Sequence, residues 1–187
     1  MTATATPPTD AGSVTLRTQK DILSSVRARH ALAGLRLATG FIFLWAFLDK
    51  MFGLGYSTAS EKAWLQGGAP SQGFLTNAPI GPFKGFFNGI AGPATDVLFM
   101  LGLLGVGAAV MLGIGVRLAA WSGSIMMIMM WVAEWPLEPG STNPLIDYHI
   151  IYALALIVVA VTFAGDTWGL GRRWRSLPLV ASNPWLR

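Results

Sequence analysis

The chain has no cysteine and little charge: of its 187 residues, 12% are Asp, Glu, Lys or Arg. The first absence excludes a dithiol couple, cysteine-ligated iron–sulfur clusters and any persulfide carried on the protein's own sulfur. It also removes disulfides from any argument about compartment. The second absence excludes an ordinary water-soluble domain, which carries about twice that share of charge. Histidine is nearly absent as well, with only His30 and His149. What is there instead is apolar: 53% of residues are hydrophobic and the mean hydropathy is +0.53. A lipid bilayer accommodates that composition, and the length is that of one domain.

The net charge of +4 does not point to nucleic acid, because no basic stripe with interleaved aromatics occurs. The basic residues are split between the two ends of the chain, which in a membrane protein reports topology. Residues 1–30 read as a polar tail and lead-in, disordered to about residue 20. No apolar stretch with a small-residue cleavage site opens the chain, so the first hydrophobic helix is expected to be an uncleaved anchor.

Four segments are long and apolar enough for spans: about 31–52, 95–115, 117–135 and 145–165. The expected fold is an all-α membrane protein, a four-transmembrane-helix bundle over residues 31–171 with a basic tail at 172–187. Arg17, Lys20, Arg27 and Arg29 precede the first span, Arg117 sits in the turn between the second and third, and Arg172, Arg173, Arg175 and Arg187 follow the fourth. The connection between spans three and four holds Glu134, Glu138 and Asp147 and no Lys or Arg. The positive-inside rule then places both termini in the cytoplasm, in a multi-pass protein of a bacterial-type cytoplasmic membrane. Asn143 and Pro144 read as a cap and a first-turn proline opening span four.

The connection over about 53–94 is too long for a turn. Its Trp64, Phe74, Phe83, Phe86 and Phe87 suit an interfacial anchor or a lid in the outer headgroup layer. Gly105, Ala109 and Gly113 on span two, and Ala119 and Gly123 on span three, recur at the four-residue spacing that lets membrane helices approach. The Met126–Met130 run reads as filler and not as a methionine metal site.

Ionisable groups in or near a span are expensive and point to function. Asp49 and Lys50 close span one at the outer side, Asp96 opens span two there, Glu134 closes span three, and Asp147 and His149 open span four. Asp96 and Asp147 suit helix N-termini, whereas Asp49 and Glu134 sit at C-terminal ends, where an acid opposes the dipole and needs a partner. Lys50 and His149 are the candidate partners. On the inner half, Arg36 lies deep in span one, with Asp166 as its expected partner or an anionic head group as the alternative.

His30 and His149 lie at opposite ends and cannot bracket a haem. Asp147 and His149 project to nearly opposite faces of a helix, which makes them a poor metal chelate by themselves. No haem, iron–sulfur or metal centre is expected, the alternative being a site that uses Glu134 and His149 from separate helices. His149 and Tyr152, three apart, share a face. Such a pair can hydrogen-bond and protonate a carbonyl oxygen, as a quinone presents.

RLATGFIFLWAFLDKMFG (36–53), LFMLGLLGVGAAVMLGIGVRLAA (98–120) and NPLIDYHIIYALALIVVAV with WGLG (143–171) resemble the DoxX/DoxD-like membrane family. The matching features are Arg36 opening span one, Lys50 closing it, Arg117 entering span three, and Asp147 with His149 opening span four; Tyr148 stands where family patterns often have a second acid. The resemblance implies a four-helix fold. Through its DoxD branch it implies a membrane component of a thiosulfate:quinone oxidoreductase. A quinone is then the acceptor, His149, Glu134, Asp147 and Asp49 are the candidate catalytic groups, and Lys50, Tyr152, Asp96 and Arg36 the candidate binding groups. The expected partners are the lipid bilayer, other membrane or peripheral redox subunits and a second copy of the chain. The alternative is a non-catalytic accessory or assembly subunit of a respiratory or redox complex, its polar cluster locking the helices together.

Overall fold

A computed structural model describes residues 17–138, 141 and 143–186. The expected disorder of the first residues falls mostly on 1–16, outside the described residues. Among the described residues every regular element is helical. Four helices dominate: α1 (Val26–Phe52), α2 (Pro93–Leu112), α3 (Val116–Ala133) and α4 (Tyr148–Val161). The first three are long and apolar enough to cross a membrane, whereas α4 has 14 residues and is shorter.

Local chemistry sets the ends of these helices. Ser25 caps α1 by accepting the Ala28 N–H, and Gly53, at φ 65°, closes it by donating to the Asp49 carbonyl. Gly113 and Gly115 take left-handed conformations on either side of the tight α2–α3 turn, where a side chain would be strained. The start of α4 differs from the expected one. The Asn143 side chain accepts the Leu145 and Ile146 N–H groups, which folds 143–146 into a turn, and the cap is Asp147. A short polar side chain bonding its own backbone competes with the helix, so the helix begins four residues later. Phe163, at φ 49°, ends the run before a single 3-10 turn at Ala164–Asp166.

α1 packs along α2, α3 packs along α4, and the pairs join through the α2–α3 hairpin around one core that includes Phe43, Met100, Val106 and Leu156. Two glycines permit close approaches between the packed helices. A Cβ on Gly107 would stand 2.6 Å from the Leu44 nitrogen, and one on Gly123 would stand 2.6 Å from Leu156 Cδ1. Gly105, expected in the contact stripe, faces open space. The neighbour sets the phase of the contact here, since Leu44 of α1 meets α2 at 107.

The 53–92 connection folds into a cap of short helices over one end of the bundle. Leu75 and Phe87 build a second small core with Ala133 at the end of α3. Ile80 donates its N–H to the Ala133 carbonyl at 3.0 Å, and Trp135 packs its ring on Gly81 and edge-on to Phe83. Of the expected interfacial aromatics, Phe83 and Phe86 are exposed and Phe87 is buried. At the opposite, basic end, the lead-in is docked: the Gln19 N–H donates to Asp166 Oδ2 at 2.8 Å and the Thr167 hydroxyl donates to Gln19 Oε1 at 2.6 Å.

Candidate functional site

The acidic end of α3 and the start of α4 form the candidate site. As N-cap, Asp147 accepts the His149 and Ile150 N–H groups on Oδ1, at 2.9 and 3.3 Å. Its Oδ2 lies 2.8 Å from His149 Nδ1, so the two side chains meet and do not project to opposite faces as expected, because Asp147 is the extended cap residue and not part of the helix. His149 is fully buried and its Nε2 has no hydrogen-bond partner. The Tyr148 ring lies against the imidazole with centroids 4.0 Å apart, and Tyr152 meets Tyr148 edge-on at 5.9 Å.

Beside this pair is a cavity of about 560 Å³ lined by Ile80, Trp131, Glu134, Ile146, Asp147 and Tyr148, among others. The Trp131 indole N–H, on the cavity wall, is buried without a partner. A buried donor without an acceptor costs about 1–3 kcal/mol, and a ligand oxygen would satisfy it. Apolar and aromatic walls with a few convergent polar groups are what a small-molecule site requires. Trp131 and Tyr148 were not among the residues that sequence reasoning selected. The available signal was helical spacing, since Trp131 stands three residues before Glu134 and shares its face.

Glu134, Asp147 and His149 each place one donor atom within 4.8 Å of the others. By donor type they could hold a divalent cation. Asp147 already accepts two backbone N–H groups and the imidazole, so ligation there would compete with the helix cap.

The remaining candidates are placed elsewhere. Asp49 is consumed by the cap: its carboxylate accepts the Tyr56 and Ser57 N–H groups and the Ser57 hydroxyl, the last at 2.7 Å. Asp96 accepts the Ser71 N–H and hydroxyl on Oδ1 and the Gln72 amide on Oδ2. Lys50 is half-buried and takes no part in the two ion pairs that form among the described residues, Asp147–His149 and Asp166–Arg175. The partnerships expected of Lys50 with Asp49 and Glu134 are therefore not formed. Tyr152 packs against the main core, and none of Tyr152, Asp49, Lys50, Asp96 or the buried His149 lines the cavity, which of the predicted site residues only Glu134 and Asp147 do.

Arg36 has a different partner from the expected one. Its guanidinium donates to the Val110 and Met111 carbonyls at the end of α2 and to the Trp168 carbonyl. Asp166 pairs with Arg175 at 3.0 Å instead. The last carbonyls of a helix lack partners within it and carry the negative end of its dipole, so a buried guanidinium beside them is well placed. Comparison of the chain with protein-family models, with curated proteins and with solved structures gives no match.

Proposed function

We propose that the chain is a DoxX/DoxD-like membrane component of a quinone-linked redox system, and that the cavity at its acidic end receives the quinone head group. The observation that carries this reading is the buried His149, held at Nδ1 by Asp147 and unpartnered at Nε2, beside a cavity walled by Trp131 and Tyr148. The distribution of charge supports a four-crossing bundle with both termini cytoplasmic, in which α4 and the 3-10 turn after it make the fourth crossing.

The chemistry assigned to the chain is proton delivery. Quinone reduction takes two electrons and two protons to give the quinol. The electrons come from thiosulfate through a partner subunit, two thiosulfate ions being oxidised to one tetrathionate. His149, behind the cavity wall, shares a proton at Nδ1 with Asp147, and Asp147, which lines the cavity, passes it to a quinone oxygen while the buried ring keeps the carboxylate oriented. Glu134, on the cavity wall, reloads the relay, and the Trp131 N–H is the donor for a quinone oxygen. The test is thiosulfate-dependent quinone reduction in membranes. His149→Ala is expected to lower it about 100-fold or more; unchanged turnover in both His149→Ala and Asp147→Asn would reject the assignment.

A second reading, an accessory subunit, is favoured by a specific observation: Asp49, Asp96 and Arg36 spend their hydrogen bonds holding the fold. Copurification separates the two. A stable complex in which His149→Ala leaves turnover intact but deletion of the chain loses the partner favours assembly.

A further inference from the structure

At the basic end the chain does not trail away. Residues 171–186 fold into two short helices, Gly171–Arg175 and Pro178–Ser182, and a 3-10 turn, Pro184–Leu186. Several contacts hold this stretch to the bundle. Arg175 donates to Asp166 and to the Arg17 carbonyl, both at 3.0 Å. Arg117, from the α2–α3 turn, donates to the Pro184 carbonyl at 3.1 Å, and within the stretch itself the Trp174 indole donates to the Leu186 carbonyl at 2.7 Å. Val180 is buried.

The other side of the same stretch is unpartnered. Leu177, Leu179 and Trp185 are 46%, 67% and 58% exposed, although Val180, within the same turn, is covered. Arg172 and Arg173 are exposed, and neither side chain makes a hydrogen bond or ion pair among the described residues. The acids near this end are already engaged, Asp166 by Arg175 and the Gln19 N–H, and Asp21 by the Thr18 N–H. Among the described residues, two guanidiniums thus stand without a neutralising partner beside three exposed apolar side chains, on a segment fastened to the end of a bundle of apolar helices.

We infer that residues 172–185 form an interfacial foot that binds anionic phospholipid. Arg172 and Arg173 take the phosphate, and Leu177, Leu179 and Trp185 enter the acyl boundary. Guanidinium forks match phosphate oxygens, and Trp beside Leu is the apolar composition of an interfacial segment. Charge complementarity selects the anionic lipid over a zwitterionic one. The inference rests on the membrane reading and is independent of any redox role.

The experiment uses the full chain in nanodiscs and native mass spectrometry. Its probes are phosphatidylglycerol, phosphatidylcholine and inorganic phosphate. The wild type is expected to retain phosphatidylglycerol about tenfold over phosphatidylcholine at equal mole fraction, a preference that falls as salt rises. Arg172→Gln/Arg173→Gln is expected to abolish the preference, and Leu179→Ser/Trp185→Ser to lower retention of both lipids. Lys84→Gln, an exposed lysine at the other end, leaves the preference unchanged. Equal retention of the two lipids by the wild type, an unchanged preference in the double arginine variant, or equal stabilisation by free phosphate would each overturn the assignment. Failure of the chain to stay with membranes on alkaline extraction would reject the membrane reading itself, which separates the two failures. All five substituted side chains are exposed, so a melting curve in phosphatidylcholine matching the wild type verifies the fold.

Discussion

Asp147 holds His149 twice, accepting its backbone N–H on Oδ1 at 2.9 Å and meeting its ring Nδ1 with Oδ2 at 2.8 Å. One carboxylate thus starts a helix and orients the only fully buried imidazole at that end. The two jobs separate by mutation. Asp147→Ala is expected to cost about 1 kcal/mol of stability through the lost cap, read as a lower melting temperature. Asp147→Asn keeps a cap oxygen but offers the imidazole an amide N–H. The ring is driven to the other tautomer, so the variant melts near the wild type while quinone-linked turnover falls about tenfold or more.

Arg36 should matter to the fold and not to the chemistry. Arg36→Met leaves three carbonyls without their charged donor, and a cost of about 3 kcal/mol is expected in detergent melting. Arg36→Lys is expected to rescue only part of it, because one ammonium on a flexible stem does not reproduce a planar fork. Equal stability of Arg36→Met and the wild type would contradict the role.

The cap is pinned by two carboxylates, and each pin is local. Asp96→Asn, which trades an ionised acceptor for a neutral amide, is expected to weaken the hold on Ser71 and Gln72 by about 1–2 kcal/mol. Amide exchange should accelerate over 71–77 and remain as in the wild type in α3. Asp49→Asn should act in the same way on 56–57.

Gly105 and Gly107 give a paired test of helix phase. Gly107→Ala would push a methyl into the Leu44 backbone and is expected to destabilise by about 1–3 kcal/mol. Gly105→Ala meets no atom and is expected to be neutral or to stabilise by about 0.5–1 kcal/mol. A reversed order in melting would mean that the two helices meet on another face.

The lead-in carries a pH dependence outside the long apolar helices. Hydrogen bonds from Thr18, chiefly its backbone N–H, hold the Asp21 carboxyl below its ordinary value of 3.8. The contribution of a depressed acid is present above that ordinary value and is lost as pH falls through the lower folded-state one. Protection of the Thr18 amide, its exchange measured against the intrinsic rate at each pH, should therefore fall on acidification below 3.8, and Asp21→Asn should remove the dependence.

The three long apolar helices were legible because hydropathy sums over about 20 residues and tolerates error at any one. The level at which the charged residues arrive was legible for the same reason. Which of those charges faces a cavity was not. Asp49 and Asp96 are occupied by Ser57, Ser71 and Gln72, which lie in a connection whose register no periodicity fixes. The partner of Arg36 was open to reasoning, since helix-end carbonyls attract guanidinium, but an acid in the sequence is easier to see than a backbone oxygen. Trp131 was obscured by its surroundings, because an indole in a hydrophobic run reads as filler until its N–H is found without an acceptor.

The Arg36 guanidinium joins α1 to the end of α2 and to Trp168, beyond α4, through three carbonyls. It acts as a rivet: parting the helices at that end means breaking all three bonds together. At the other end the cap reaches α3 through a backbone bond from Ile80, aromatic packing and the small core of Leu75 and Phe87 on Ala133. The bundle is therefore held unevenly: at the acidic end α1, α2 and α3 are tied to the cap, and among the described residues no hydrogen bond ties α4 to it. A molecule dissolved in the bilayer that needs the helices to yield will find the give beside His149 and not beside Arg36.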